Sequence, residues 1–200
     1  TGTYPVNPLL GTQPNPYSLL NNVDKGTTDR LLGNVYLEAY PIKGLKLRLN
    51  AGIDKAELKR RTYEPKTTLY GGKLGGNANI YNTDNNQYLL EATATYGTTI
   101  NEIHQLNLLG GASYEEFNVE TSSLGNNNFL TDSFLYNNLG AGTGTKTVAS
   151  GKSKNLMKSY FFRANYILKD RYMLTATFRA DGASVFAKNH KWGYFPSVAL

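Results

Sequence analysis

From Leu45 onward every second residue is apolar. Leu45, Leu47, Leu49, Ala51 and Ile53 alternate with Lys46, Arg48, Asn50, Gly52 and Asp54. Side chains on a β-strand point alternately to opposite faces, so this stretch carries one apolar wall and one wet wall. The pattern recurs down the chain. Tyr160, Phe162, Ala164, Tyr166 and Leu168 oppose Ser159, Phe161, Arg163, Asn165 and Ile167. Tyr172, Leu174, Ala176, Phe178 and Ala180 oppose Arg171, Met173, Thr175, Thr177 and Arg179. Tyr88–Tyr96 and Leu106–Tyr114 repeat it with more noise. The alternation predicts strands over 29–40, 44–58, 87–100, 105–119, 156–168, 171–181 and 193–200, and no segment shows a helical-period apolar face.

The connections narrow the choice further. Pro41-Ile42-Lys43-Gly44, Asn101-Glu102-Ile103-His104 and Lys169-Asp170 read as tight hairpin turns. Between them lie long polar stretches, near 59–86, 120–155 and 181–192. Short and long connections alternate strictly. In an up-and-down sheet this puts every short turn at one end and every long loop at the other. Long loops are uncommon in compact soluble domains, but they are usual on the outer side of transmembrane β-barrels. A tilted strand of about 9–11 residues crosses a bilayer, and these strands reach that length. In hydrocarbon every backbone polar group needs an internal partner, so a spanning sheet must close. The expected class is therefore all-β: antiparallel up-and-down strands forming part of a large transmembrane β-barrel. Arg48, Arg163 and Arg179, with Thr93, Thr95, Thr175, Thr177 and Asn165, are expected to face the lumen. Tyr40, Tyr88, Tyr160, Tyr166 and Tyr172 are expected to form an interfacial girdle. Seven strands with a polar inner face are too few to close a wide barrel. The competing reading of the same alternation is a soluble antiparallel β-sandwich, a carbohydrate-binding or adhesin-like module.

Composition removes other classes. Of 200 residues, 40% are hydrophobic and 18% charged, and no run of about 20 apolar residues exists, so a helical membrane protein is excluded. Aromatic residues make up 12% and are spread throughout, which argues against disorder. With no cysteine there is no disulfide framework or thiolate metal site. The formal charge of +6 is scattered, and Lys59-Arg60-Arg61, its densest cluster, reads as a solvated strand end, so no nucleic-acid partner is expected. The chain begins at Thr1 without a leader pattern and stops at Leu200 inside an apparent strand, and it reads as an internal piece of a longer protein.

Motifs for chemistry fail on spacing. Gly151-Lys152-Ser153 would need a glycine where Lys146 stands to complete a phosphate-binding loop. Gly140-Ala141-Gly142-Thr143-Gly144 lacks dinucleotide-binding spacing and reads as flexible loop. His104, in a tight turn, and His190, in a loop, read as exposed and inert. Glu115 and Glu116 fall on opposite faces of a strand and cannot share a substrate atom. Asp84-Asn85-Asn86 lacks the calcium-loop pattern. No enzyme, cofactor or metal site is expected.

Several strings, in order, carry a resemblance. They are Asn15-Pro16-Tyr17-Ser18-Leu19-Leu20, Arg30-Leu31-Leu32-Gly33-Asn34, Lys43-Gly44-Leu45-Lys46-Leu47, Arg163-Ala164-Asn165-Tyr166 and Lys169-Asp170-Arg171-Tyr172. Arg179-Ala180-Asp181-Gly182-Ala183-Ser184-Val185-Phe186 and Lys191-Trp192-Gly193-Tyr194-Phe195-Pro196-Ser197 follow. Over nearly its whole length the chain resembles the barrel region of SusC/RagA-type TonB-linked outer-membrane transporters of Bacteroidetes, with alanine at 183 where serine is more usual. The resemblance implies a partial TonB-dependent receptor barrel domain over 1–200, without the plug, in the cell outer membrane. It implies nutrient import through a 22-strand barrel, driven by TonB and capped by a SusD-like surface lipoprotein, with glycans or peptides as cargo and outer-membrane lipid around the wall. The motif positions Arg179, Asp181, Gly182, Ser184, Phe186, Trp192 and Pro196 are expected to be structural. Tyr70, Tyr81, Phe129 and Tyr136, aromatic residues in the expected loops, are candidate ligand contacts, because sugars stack on aromatic faces.

Overall fold

The computed structural model describes Tyr4, Pro5, Leu9 and residues 13–200. Seven strands make one sheet in chain order: β1 (Val23–Ala39), β2 (Leu45–Glu64), β3 (Asn77–Ile100), β4 (His104–Asn127), β5 (Thr147–Leu168), β6 (Tyr172–Ala183) and β7 (Trp192–Ala199). The up-and-down antiparallel arrangement matches the expectation. A soluble sandwich would cover the apolar face with a second sheet. Here all seven strands share one sheet and that face stays open, with Leu37 73%, Leu49 45%, Phe162 47% and Val198 71% exposed.

Strand length departs from the sequence reading. β3 and β4 each run 24 residues, about twice what a bilayer crossing needs. The supposed long loops shrink to 65–76, 128–146 and 184–191, still longer than the turns at 40–44, 101–103 and 169–171. Asn77, Asn79, Asn82 and Asn85, read as loop, lie within β3. Two short helices also form, α1 (Pro16–Leu19) and α2 (Leu69–Leu74). No helix among the described residues is long and apolar enough to cross a membrane.

The chain divides into two compact units. One comprises Leu31–Lys55, Asn86–Asn118 and Ser153–Leu200, and contains the tight turns. Asn101 and Glu102, and again Lys169 and Asp170, have positive φ of 51–59°. Both central residues left-handed is the type I′ signature, whose twist matches that of the flanking strands. Asp170 Oδ1 also accepts from Gln105 Nε2 at 2.6 Å, and Lys169 N–H donates to the Ile103 carbonyl at 2.8 Å, which ties neighbouring turns together.

The other unit comprises residues up to Arg30, with Ala56–Asn85 and Val119–Lys152. Its small core is Tyr63, Ala78 and Phe129, with Val23, Leu135, Tyr136, Leu139 and Ala141 against it. Asn15 caps α1 by accepting from Tyr17 N–H, with Pro16 in the first turn, where its missing N–H costs nothing. Thr68 caps α2 by accepting from Gly71 N–H at 3.0 Å, and Gly75 closes it at φ 69°. The 128–146 connection, read as flexible, is pinned. Asn126 Nδ2 donates to the carbonyls of Leu139 (2.8 Å) and Gly142 (2.7 Å). Asn127 Oδ1 accepts from Thr145 N–H, and Asn128 Nδ2 donates to Thr143 Oγ1.

Candidate functional site: a polar wall and the motif that locks it

The β5–β6–β7 register fixes which residues share a face. Phe162, Phe178 and Pro196 stand side by side, as do Tyr160, Ala180 and Tyr194. One residue over, Arg163, Thr177 and Ser197 share the opposite face, with Phe161, Arg179 and Phe195 in the next row. The polar wall expected from alternation therefore exists, and Arg48, Arg163 and Arg179 all lie on it.

Its strongest fixed point is built from the motif string. Arg179 Nε donates to both carboxylate oxygens of Asp181 at 2.8 Å, and its Nη2 reaches Ser159 Oγ at 3.3 Å. Two residues apart on a strand means the same face, so Arg and Asp at this spacing meet without a turn. Ser159, 1% exposed, is the register partner of Asp181 on β5, so the lock spans two strands. The guanidinium also lies 5.9 Å from the centroid of the Phe161 ring. That ring in turn covers Gly111 of β4, where a Cβ would fall 2.5 Å from Phe161 Cε2. Only glycine leaves room for the ring at that depth.

Gly182 performs the same service on the apolar face. A Cβ there would fall 2.9 Å from the Trp192 indole. The indole crosses over its register partner Gly182 and stacks on Tyr160 at 5.8 Å and 22°. Ser184 extends the β5–β6 pairing past the strand end: its N–H donates to the Leu156 carbonyl (2.9 Å) while its Oγ accepts from Leu156 N–H (2.8 Å). Pro196 stands beside its register partner Phe178 of β6. Phe186 stands exposed in the 184–191 connection.

A second polar-face network joins β1 to β2. Lys46 pairs with Glu38 at 2.7 Å, Arg48 approaches the same carboxylate at 3.7 Å, and the Arg48 guanidinium lies 4.3 Å from the Tyr36 ring centroid. Tyr40 donates to Glu38 at 2.9 Å. The hydroxyl is thereby drawn to the polar face, so Tyr40 does not join the girdle expected of it. His104 also differs from expectation. It opens β4 rather than capping a turn, and its Nδ1 lies 2.6 Å from the Tyr166 hydroxyl with the rings stacked at 5.9 Å. His190 is exposed.

The loop aromatic residues separate into two groups. Tyr70 on α2 and Tyr81 on β3 are exposed, and Lys73 Nζ sits 5.9 Å from the Tyr70 ring centroid. Phe129 is 3% exposed and packs edge-on against Tyr63 at 5.8 Å, so its ring has no surface for a solute. Tyr136 is half-buried against the same cluster. Tyr63, 1% exposed, donates to Asp132 Oδ1 at 2.7 Å. Burial first, then that bond, pushes its phenol well above the ordinary value of 10. Tyr63 and Asp132 went unnoticed in the sequence because they are 69 residues apart and fit no motif. Gly111 and Phe161 went unnoticed because glycine has no polarity to place in an alternating pattern.

No family model matches the chain. A TonB-dependent receptor of Formosa agariphila, P3, is 34% identical over 200 residues, which is 100% of this chain and 20% of that protein. The TonB-dependent receptor SusC of Bacteroides thetaiotaomicron is 52% identical over 48 residues, 24% of this chain and 5% of that one. The chain is a barrel segment of a SusC/RagA-type TonB-dependent receptor. Among solved structures, the RagAB peptide transporter superposes with a TM-score of 0.84 over 92% of this chain and 20% of that one, at 23% identity, and so shows the fold. The receptor segment spans about a fifth of the length of these relatives. Receptors of this type reside in the outer membrane and are transport proteins rather than enzymes.

Proposed function

We propose that this segment forms part of the wall of an energised outer-membrane importer. TonB would drive it, a SusD-like surface lipoprotein would cap its loop end, and glycans or peptides would pass along its polar face. One observation supports this above the others: the polar face is a set of side-chain networks on a sheet whose opposite face is apolar and open. Sheets with both properties make aqueous passages through bilayers. Similarity to TonB-dependent receptors along the entire chain supports the same reading.

Within it, Arg48, Arg163 and Arg179 are lumen residues with different duties. Arg179 is committed to Asp181, and Arg48 to Tyr36 and Glu38. Arg163 faces Thr177 across the register and has no salt bridge among the described residues, which leaves its charge for a passing solute. Tyr70, Tyr81 and the half-buried Tyr136 are the aromatic surfaces offered to cargo from the loop-bearing unit.

The test is uptake by cells expressing the full-length receptor. Deletion should abolish growth on one glycan or peptide source, and restoring the gene, but not a TonB-uncoupled form, should recover it. Growth unchanged on every such source would refute the proposal. Substituting Arg163→Glu should slow uptake of anionic cargo several-fold while leaving receptor abundance unchanged.

A further inference from the structure

Two lysines on the apolar face lie over tyrosine rings at the level where that face stops being apolar. On β2 the outward positions run Leu45, Leu47, Leu49, Ala51 and Ile53, and the next is Lys55. On β4 they run from Leu106 to Tyr114, and the next is Glu116. Lys55 Nζ sits 5.7 Å from the centroid of the Tyr88 ring, and Lys158 Nζ sits 5.9 Å from that of Tyr114. Leu90, Ala92 and Ala94 continue the apolar strip below Tyr88 on β3. A tyrosine ring topped by an ammonium is suited to a bilayer's headgroup level, with the ring toward acyl chains and the charge in the wet layer.

These two cations are not neutralised by the protein. The carboxylate beside them, Glu116, is already used. Lys154 pairs with it at 2.7 Å, and it accepts from the Tyr114 hydroxyl at 3.1 Å and from Asn118 Nδ2 at 2.8 Å. Neither Lys55 nor Lys158 has a salt bridge among the described residues, and both are exposed. Tyr88 and Tyr114 stand on the neighbouring strands β3 and β4, so the two ammonium groups over them border one patch of the outward face.

We propose that Lys55 with Tyr88, and Lys158 with Tyr114, form a docking surface for the phosphorylated glycolipid of the outer leaflet. Its phosphates would meet the ammonium groups and its acyl chains would lie along the strip below. Charge complementarity selects an anionic headgroup, and continuity with the hydrocarbon-facing wall selects a lipid over a soluble anion. The inference rests on the membrane-barrel reading. It places a specific lipid at a specific height on the outside of the wall, away from the cargo path.

The experiment uses the purified full-length receptor in detergent, titrated with phosphorylated lipid A, with its dephosphorylated form, and with inorganic phosphate alone. Bound lipid is counted by native mass spectrometry. Phosphorylated lipid A should bind roughly tenfold more tightly than the dephosphorylated form. K55Q/K158Q should erase that preference, and K55R/K158R should keep it. Equal binding of the two lipids, or a preference unchanged in K55Q/K158Q, would overturn the proposal. Displacement of lipid A by millimolar inorganic phosphate would overturn the assignment to lipid in favour of a free-anion site. Cargo uptake by the same variants is read separately: normal uptake without phosphate preference removes this inference and leaves the importer standing.

Discussion

At the scale of single residues, the polar wall is held by close approaches that tolerate little added volume. Gly111→Ala would push a methyl into the Phe161 ring and unseat its contact with Arg179. Overpacking of this kind costs about 1–3 kcal/mol, and the full-length receptor should show it as a lower unfolding temperature in detergent. In the loop-bearing unit, Tyr63 carries a pH dependence. Burial holds its phenol above the ordinary value of 10. A raised value means the folded form resists ionisation, so this contribution is intact below pH 10 and is lost as pH climbs beyond it. Proteolysis of the 128–146 connection should accelerate above pH 10 in the wild type and less so in Tyr63→Phe, which cannot ionise. Removing the hydroxyl should itself loosen the unit by about 1 kcal/mol. The strand that carries Arg179 was legible in the sequence, but its pairing with Asp181 was not, because Asp181-Gly182 reads as the start of a loop rather than as two more strand residues. The burial of Phe129 was not legible either, because an aromatic that follows a run of asparagines (Asn126-Asn127-Asn128) looks the same whether it anchors a loop or decorates it.

At the scale of elements, the period-two signal located every strand but not its far end. The outward face of β2 is apolar through Ile53 and then turns to Lys55, Glu57, Lys59 and Arg61. From there the outward face is charged while Ala56 and Leu58 fall on the other face, the alternation no longer continues the apolar wall, and the strand reads as loop. Asn77–Asn86 extends β3 despite poor strand propensity because pairing with its neighbours decides the matter. On the proposed reading, the switch to charge at Lys55 is itself the marker of where hydrocarbon ends. The three hairpin positions were legible from punctuation, whereas their geometry was not. Lys169 and Asp170 occupy left-handed backbone that Asn and Gly adopt more readily. Lys169→Asn, which keeps the Asp170–Gln105 bond, should stabilise the β5–β6 hairpin by up to about 1 kcal/mol, seen as slower amide exchange at 166–174.

At the scale of the whole molecule, a single sheet with an open apolar wall cannot be content alone in water. Strands β1 and β7 each have one neighbour in the sheet order, so their outer edges offer unpaired backbone groups. The segment expressed by itself without detergent should sediment as aggregates or edge-paired oligomers, and a clean monomer peak would count against the membrane assignment. The most direct test of the central claim is a nitroxide scan through 161–166 and 174–179 of the full-length receptor in bilayers. Collision with oxygen, which dissolves in lipid, should peak at Phe162, Ala164, Tyr166, Leu174, Ala176 and Phe178. Collision with a water-soluble nickel chelate should peak at the positions between them. If the two profiles rise and fall together, or exchange places, the apolar face does not meet lipid and the polar face does not border water.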